Sequence, residues 1–111
     1  MRLSPHFPTW YLTEAGRSLV GLREFEAAVA EFDEALERDP VDIFLAWTLA
    51  GKAEALVGLG DRDQALRVVE TLRQRVPWYT LSYLGNNLQF KGQKVVDEKL
   101  AMMRELGLPE N

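Results

Sequence analysis

Residues 19–29 read LVGLREFEAAV and residues 56–66 read LVGLGDRDQAL. Leu19, Val20, Gly21, Leu22 and Ala28 recur as Leu56, Val57, Gly58, Leu59 and Ala65, an offset of 37. At the same offset Phe32, Ala35 and Pro40 are answered by Val69, Leu72 and Pro77. A repeat of this length implies one supersecondary unit that is copied and stacked, because such a unit leaves an apolar face that only a neighbour covers. Stacked units present extended surfaces, and binding is the function class those surfaces serve.

Periodicity outward from the repeat is helical. Pro5 and Pro8 bias the residues before them away from helix, so residues 1–8 read as a linker. Thr9 is placed to cap a helix that runs to about Leu22, with Leu12, Ala15, Gly16 and Leu19 on one face. A second helix fits Glu24 to Arg38, with Phe25, Ala28, Val29, Phe32, Ala35 and Leu36 as its apolar stripe, stopped by Pro40. Asp42 is expected to cap a third helix reaching about Leu59. Asp61 or Arg62 opens a fourth, with Ala65, Leu66, Val69 and Leu72 inward, ended by Pro77. The tail reads as a short helix from Thr80 to Leu88, an extended piece over 89–92, and a last helix from Gln93 to Leu106. Gly107 suits the helix C-terminus and Pro109 cannot continue it. No run of alternating β-branched residues competes with this all-α reading.

These residues resemble the tetratricopeptide repeat family. Its pattern has a small residue where two helices cross, an aromatic or aliphatic residue a turn later, and an Ala early in the second helix. An aromatic, another Ala and a closing Pro follow. The first unit, residues 9–42, supplies Gly16, Leu19, Phe25, Ala28, Phe32, Ala35 and Pro40 at about the family's 34-residue length. The second, about 46–79, supplies Ala53, Leu56, Gly60, Ala65, Val69, Leu72 and Pro77. It is degenerate: Lys52 stands where Leu is usual and Val69 replaces an aromatic. The three extra residues of the offset imply a longer third helix or connection around Val41 to Leu45. The resemblance implies a short α-solenoid of antiparallel helix hairpins over 9–79 with capping helices over 80–111. Small side chains at Gly16, Ala28, Ala53 and Ala65 let helix axes approach to about 8–10 Å, and a larger one there is expected to cost about 1–3 kcal/mol.

The tail is similar to C-terminal endings that follow such repeats in bacterial adenylate or guanylate cyclases and winged-helix regulators. Pro77, Tyr79, Leu81, Phe90-Lys91 and Leu106-Gly107-Leu108-Pro109 carry that likeness. It implies the regulatory or assembly end of a larger protein, and HFPTWYL fits a junction from a preceding repeat.

Composition bounds the chemistry. The 111 residues point to one compact domain. With 13 basic and 17 acidic residues the net charge is -4, which repels phosphate backbones, and no basic cluster interleaved with aromatics offsets it, so no nucleic acid is expected to bind. No apolar run nears the roughly 20 residues of a membrane helix, so no membrane partner is expected. The chain has no cysteine, which removes thiolate catalysis and zinc–sulfur sites and fits a reducing cytoplasm, the expected location. His6 is the single histidine and stands in the Pro-rich start, so no cofactor or metal is expected. Glu31, Asp33, Glu34 and Glu37 lie along a helix that needs a solvated face. Gly58 and Gly60 lack the GK[ST] ending of a phosphate loop, and Ser4, Ser18 and Ser82 lack a nucleophile elbow. The chain is therefore not read as an enzyme.

Aromatics carry the remaining signal. Trp10 and Trp47 are equivalent under the repeat, on the face that lines the concave groove of the resembled fold. That face continues through Thr13, Arg17, Ala50 and Glu54, giving a candidate groove for a partner peptide or helix. The competing reading packs each Trp against a preceding helix or linker. Arg17 alone is too little for a carboxylate clamp. Trp78, Tyr83, Met102, Met103 and Leu106 either complete the cap or form a self-association surface, giving a homodimer. Two functions follow: a non-catalytic protein–protein interaction module, or the regulatory end of a larger cyclase or transcription regulator.

Overall fold

The computed structural model describes residues 8–87 and 92–111. Within them lie six α-helices and no strand: α1 (Thr9–Gly21), α2 (Phe25–Glu37), α3 (Asp42–Gly58), α4 (Arg62–Arg75), α5 (Leu81–Asn87) and α6 (Gln93–Glu105). The linker expected over 1–8 and the extended piece expected over 89–92 fall outside the described residues, apart from Pro8 and Gly92, and His6 is outside them too.

Two expected caps move by one residue. Pro8, extended at φ -65 and ψ 156, precedes α1, and its carbonyl accepts from Tyr11 N–H at 3.0 Å. Val41 does the same for α3, accepting from Phe44 N–H at 3.2 Å, so Thr9 and Asp42 become first helical residues. Asp61 caps α4 as its residue type suggests: its Oδ1 accepts from Gln64 N–H at 3.2 Å.

The repeat is visible in how helices end. After α1, Arg23 N–H bonds Val20 O at 3.0 Å and Glu24 N–H bonds Leu19 O at 2.8 Å. After α3, Gly60 N–H bonds Val57 O at 3.0 Å and Asp61 N–H bonds Leu56 O at 2.9 Å. This paired closure needs a left-handed residue, and Arg23 (φ 62) and Gly60 (φ 80) supply it at equivalent positions. Arg23 has a local offset, because its guanidinium lies 5.4 Å from the Phe25 ring centroid. Gly60→Ala has none. An added Cβ there meets open space, so the expected loss of about 1 kcal/mol is purely a backbone effect. Urea denaturation measures it, and an unchanged midpoint would count against a left-handed Gly60.

α1 packs along α2 and α3 along α4, while α3 also touches both α1 and α2. This central place is written in α3 itself, which buries Leu45, Ala46, Leu49, Ala53, Ala55 and Leu56 instead of one narrow stripe. It has 17 residues against 13 in α1. Gly21 and Gly58 both end their helices, so the extra length of α3 is at its start.

One side chain joins the two pairs. Phe32 of α2 is fully buried, and its ring lies against Gly16 of α1 and Gly51 of α3. A Cβ at Gly16 would stand 2.6 Å from that ring, closer than carbon atoms approach. The absent side chains form the slot. Lys52, unusual at an inward position, resolves its charge by pairing with Asp33 of α2 at 2.6 Å while most of its stem is covered.

The tail closes the other side of α3 and α4. Tyr79, Leu81, Leu84, Val96, Met103, Leu106 and Leu108 share one buried cluster with Leu45, Leu49, Leu56, Val69 and Leu72. Met103 and Leu106, candidates for self-association in the sequence, are 2% and 3% exposed and belong to this interior. Arg62 reaches Glu105 at 3.7 Å, and the N–H groups of Leu81 and Ser82 at the start of α5 donate to the carbonyls of Pro109 (2.9 Å) and Glu110 (3.0 Å). The last residues thus satisfy helix donors that otherwise lack partners.

Candidate functional site

A cleft of about 630 Å³ opens between α1, α3 and the C-terminal helices. Arg17 and Glu14 enter it from α1, Trp47, Ala50 and Glu54 from α3, Tyr79, Tyr83 and Asn87 from the junction and α5, and Lys99, Met102 and Met103 from α6. Arg17, Trp47, Ala50 and Glu54 are four of the six residues expected to form a groove. The structure adds Tyr83, Met102 and the nearly buried Met103 to them, which the sequence had suggested for a separate surface.

The other expected residues lie elsewhere. Thr13 is 1% exposed and sits between α1 and α3, where its hydroxyl meets that of Thr48 at 2.8 Å. Thr48 Oγ1 also lies 2.7 Å from Phe44 O, to which it can donate, so the hydroxyl pair is bonded within the α1–α3 contact. A residue in that position cannot meet a ligand, and its place in the expected groove is corrected. Trp10 is 53% exposed but stands outside the cleft, with its edge against Tyr11 at 6.0 Å between ring centroids. Trp78 is exposed beside the cleft, 5.2 Å from Tyr83 between ring centroids.

The cleft walls are aromatic and ordered by ring contacts. Trp47 meets Phe44 at 5.7 Å in a T-shaped arrangement, and Tyr79 meets Tyr83 at 5.4 Å. Arg17 lies 5.9 Å from the Trp47 ring centroid and pairs with Glu14 at 2.9 Å. Across the cleft Lys99 Nζ pairs with Glu54 at 2.7 Å, which ties α6 to α3. Lys99 was not singled out from the sequence. The signal was there: Val96, Lys99, Leu100 and Met103 follow the i, i+3, i+4, i+7 spacing of one helix face.

Burial pushes the Tyr79 phenol up to about 12, with Tyr83 and Glu54 adding to the rise and Arg17 opposing it. The hydroxyl is therefore a neutral donor throughout the ordinary pH range. An unfolded tyrosine ionises near 10, so the folded state holds a proton that the unfolded state has lost between about pH 10 and pH 12. The associated stability is complete below about pH 10 and falls as pH rises through about 12, by on the order of 2–3 kcal/mol. Tyr79→Phe is expected to flatten stability against pH in that window relative to the parent chain. Parallel curves for the two proteins would show that Tyr79 is not the group responsible.

Among the described residues no group of three or more His, Cys, Asp or Glu side chains could hold a metal ion, and no helix is long and apolar enough to cross a membrane. Comparison of the chain with protein-family models, curated proteins and solved structures gave no match.

Proposed function

We propose that the chain is a non-catalytic protein–protein interaction module of the tetratricopeptide type, and that the cleft holds a segment of its partner. The carrying observation is the cleft itself, where Trp47, Tyr79, Tyr83 and Met102 converge from three parts of the chain. Large amphipathic rings of this kind dominate binding energy where they can be desolvated, and Trp47 stays 37% exposed without a partner. The solenoid reading is supported by the repeated helix closures at Arg23 and Gly60 and by α3 packing on both helices of the first pair.

Panning a random heptapeptide library against the full chain tests the reading. Enriched peptides are expected to lose about ten-fold or more in affinity on Trp47→Ala, while the circular dichroism and thermal midpoint of that variant stay close to the parent. No enrichment, or enrichment indifferent to Trp47→Ala, would sink the cleft as a binding site.

A second reading, the regulatory or assembly end of a larger cyclase or transcription regulator, draws on the tail and on apolar side chains outside the cleft. Trp10, Tyr11 and Leu22 of the first helix pair are 53%, 39% and 73% exposed. Molar mass by light scattering over a concentration series tests it: a concentration-dependent dimer supports an assembly role, and a strict monomer counts against it.

A further inference from the structure

Four charged side chains line the cleft, Glu14, Arg17, Glu54 and Lys99. They are joined as two ion pairs at 2.9 Å and 2.7 Å, so the cleft is electrically neutral and the net charge of -4 is carried by the rest of the molecule. We propose that the cleft selects a short uncharged peptide segment bearing an aromatic side chain, and that the Glu54–Lys99 pair enforces this choice. The inference rests on the interaction reading above and adds the chemistry of the partner.

The argument is one of displacement. Glu54 and Lys99 are 30% and 29% exposed, so water screens each only in part. A ligand carboxylate that reaches Lys99 either turns Glu54 away, leaving it unpaired beside aromatic rings, or shares the ammonium with it and sets two like charges together. A ligand ammonium that reaches Glu54 strands Lys99 in the same way. Removing one member of a partly buried pair leaves an uncompensated charge, which outweighs the new contact. An aromatic ring meets no such obstacle. It can take edge contacts from Trp47, Tyr79 and Tyr83 and stack on the partly exposed Arg17 guanidinium. The Tyr79 hydroxyl can donate to a peptide carbonyl without bringing charge. A volume of about 630 Å³ falls within the size range of pockets that enclose a few side chains.

The composition of the peptides enriched from the heptapeptide library is the test. On the parent chain the pool is expected to be rich in Trp, Phe and Tyr and poor in Asp, Glu, Lys and Arg. Synthetic peptides from that pool should change in Kd less than about two-fold between about 50 and about 500 mM salt, because no net charge is exchanged. Glu54→Gln leaves Lys99 without its partner and should shift the pool toward Asp and Glu. Lys99→Gln should shift it toward Lys and Arg, a second variant in case the first does not fold. A parent pool enriched in either charge, with binding still lost on Trp47→Ala, overturns the neutrality inference and leaves the cleft reading standing. Pools that ignore both substitutions also overturn it. A pool that ignores Trp47→Ala removes the cleft reading itself.

Discussion

Phe32→Ala is expected to lower the stability of the domain by about 3–5 kcal/mol. The ring is fully buried, and its slot is formed by the missing side chains of Gly16 and Gly51 on two different helices. Neither glycine can move in to refill the space, because each backbone is held by its own helix. The cavity therefore stays open, which places the substitution at the upper end of large-to-small losses. Gly51→Ala attacks the same slot from the other side, where the new Cβ meets the ring, and about 1–3 kcal/mol is expected. Equilibrium unfolding in urea measures both. A loss below about 1 kcal/mol for Phe32→Ala would mean that the slot collapses and that the two helix pairs are not joined there.

The second large effect follows from the tail. A chain ending at Asn87 is expected to have no cooperative thermal transition. Truncation removes Val96, Met103, Leu106 and Leu108, all nearly inaccessible to solvent, and uncovers the side chains they pack against. Each such side chain contributes about 1.5–3 kcal/mol, so the four together rival the 5–15 kcal/mol by which a whole domain is stable. The Lys99–Glu54 pair and the tail bonds that satisfy α5 go with them. Calorimetry and dye binding to exposed apolar surface report the outcome. A sharp transition close to that of the full chain would mean that α1–α4 are self-sufficient and that the tail is an ornament.

Much of this architecture was legible in the residues. The repeat placed α1–α4 and the periodicity of the tail placed α5 and α6, each within a residue or two, and Phe32, Ala28, Ala53 and Ala65 could be assigned to the interior by type and spacing. Gly16 was recognisable as a close-approach site because it falls where two helices must cross. Gly51 was not, because the pattern draws attention to Ala53, and only the fold shows that Phe32 reaches α3. Gly58 reads as part of a turn, yet it is the last residue of α3 and lies against the Phe25 ring.

The groove was half legible. Sequence spacing sets a residue on a helix face, but a face that grazes a neighbouring helix is part inside and part outside. Thr13 and Arg17 share a face of α1, and the first is enclosed by α3 while the second opens to the cleft. Met102 and Met103 are adjacent in the chain, and one turn angle decides that Met103 is interior and Met102 only partly covered. The pairing of Glu54 with Lys99 depends on how α6 returns over α3, which no local pattern encodes.

The walls of the cleft include residues of the first helix and of the last. An occupant that touches both Arg17 and Lys99 spans nearly the whole described chain, so it acts as a clasp on everything between. Such a ligand slows global unfolding and raises the melting temperature of the entire molecule in proportion to the logarithm of its concentration. Thermal shift across a ligand collection, repeated on Trp47→Ala, would therefore report occupancy of this cleft without a label as the part of the shift that the substitution removes.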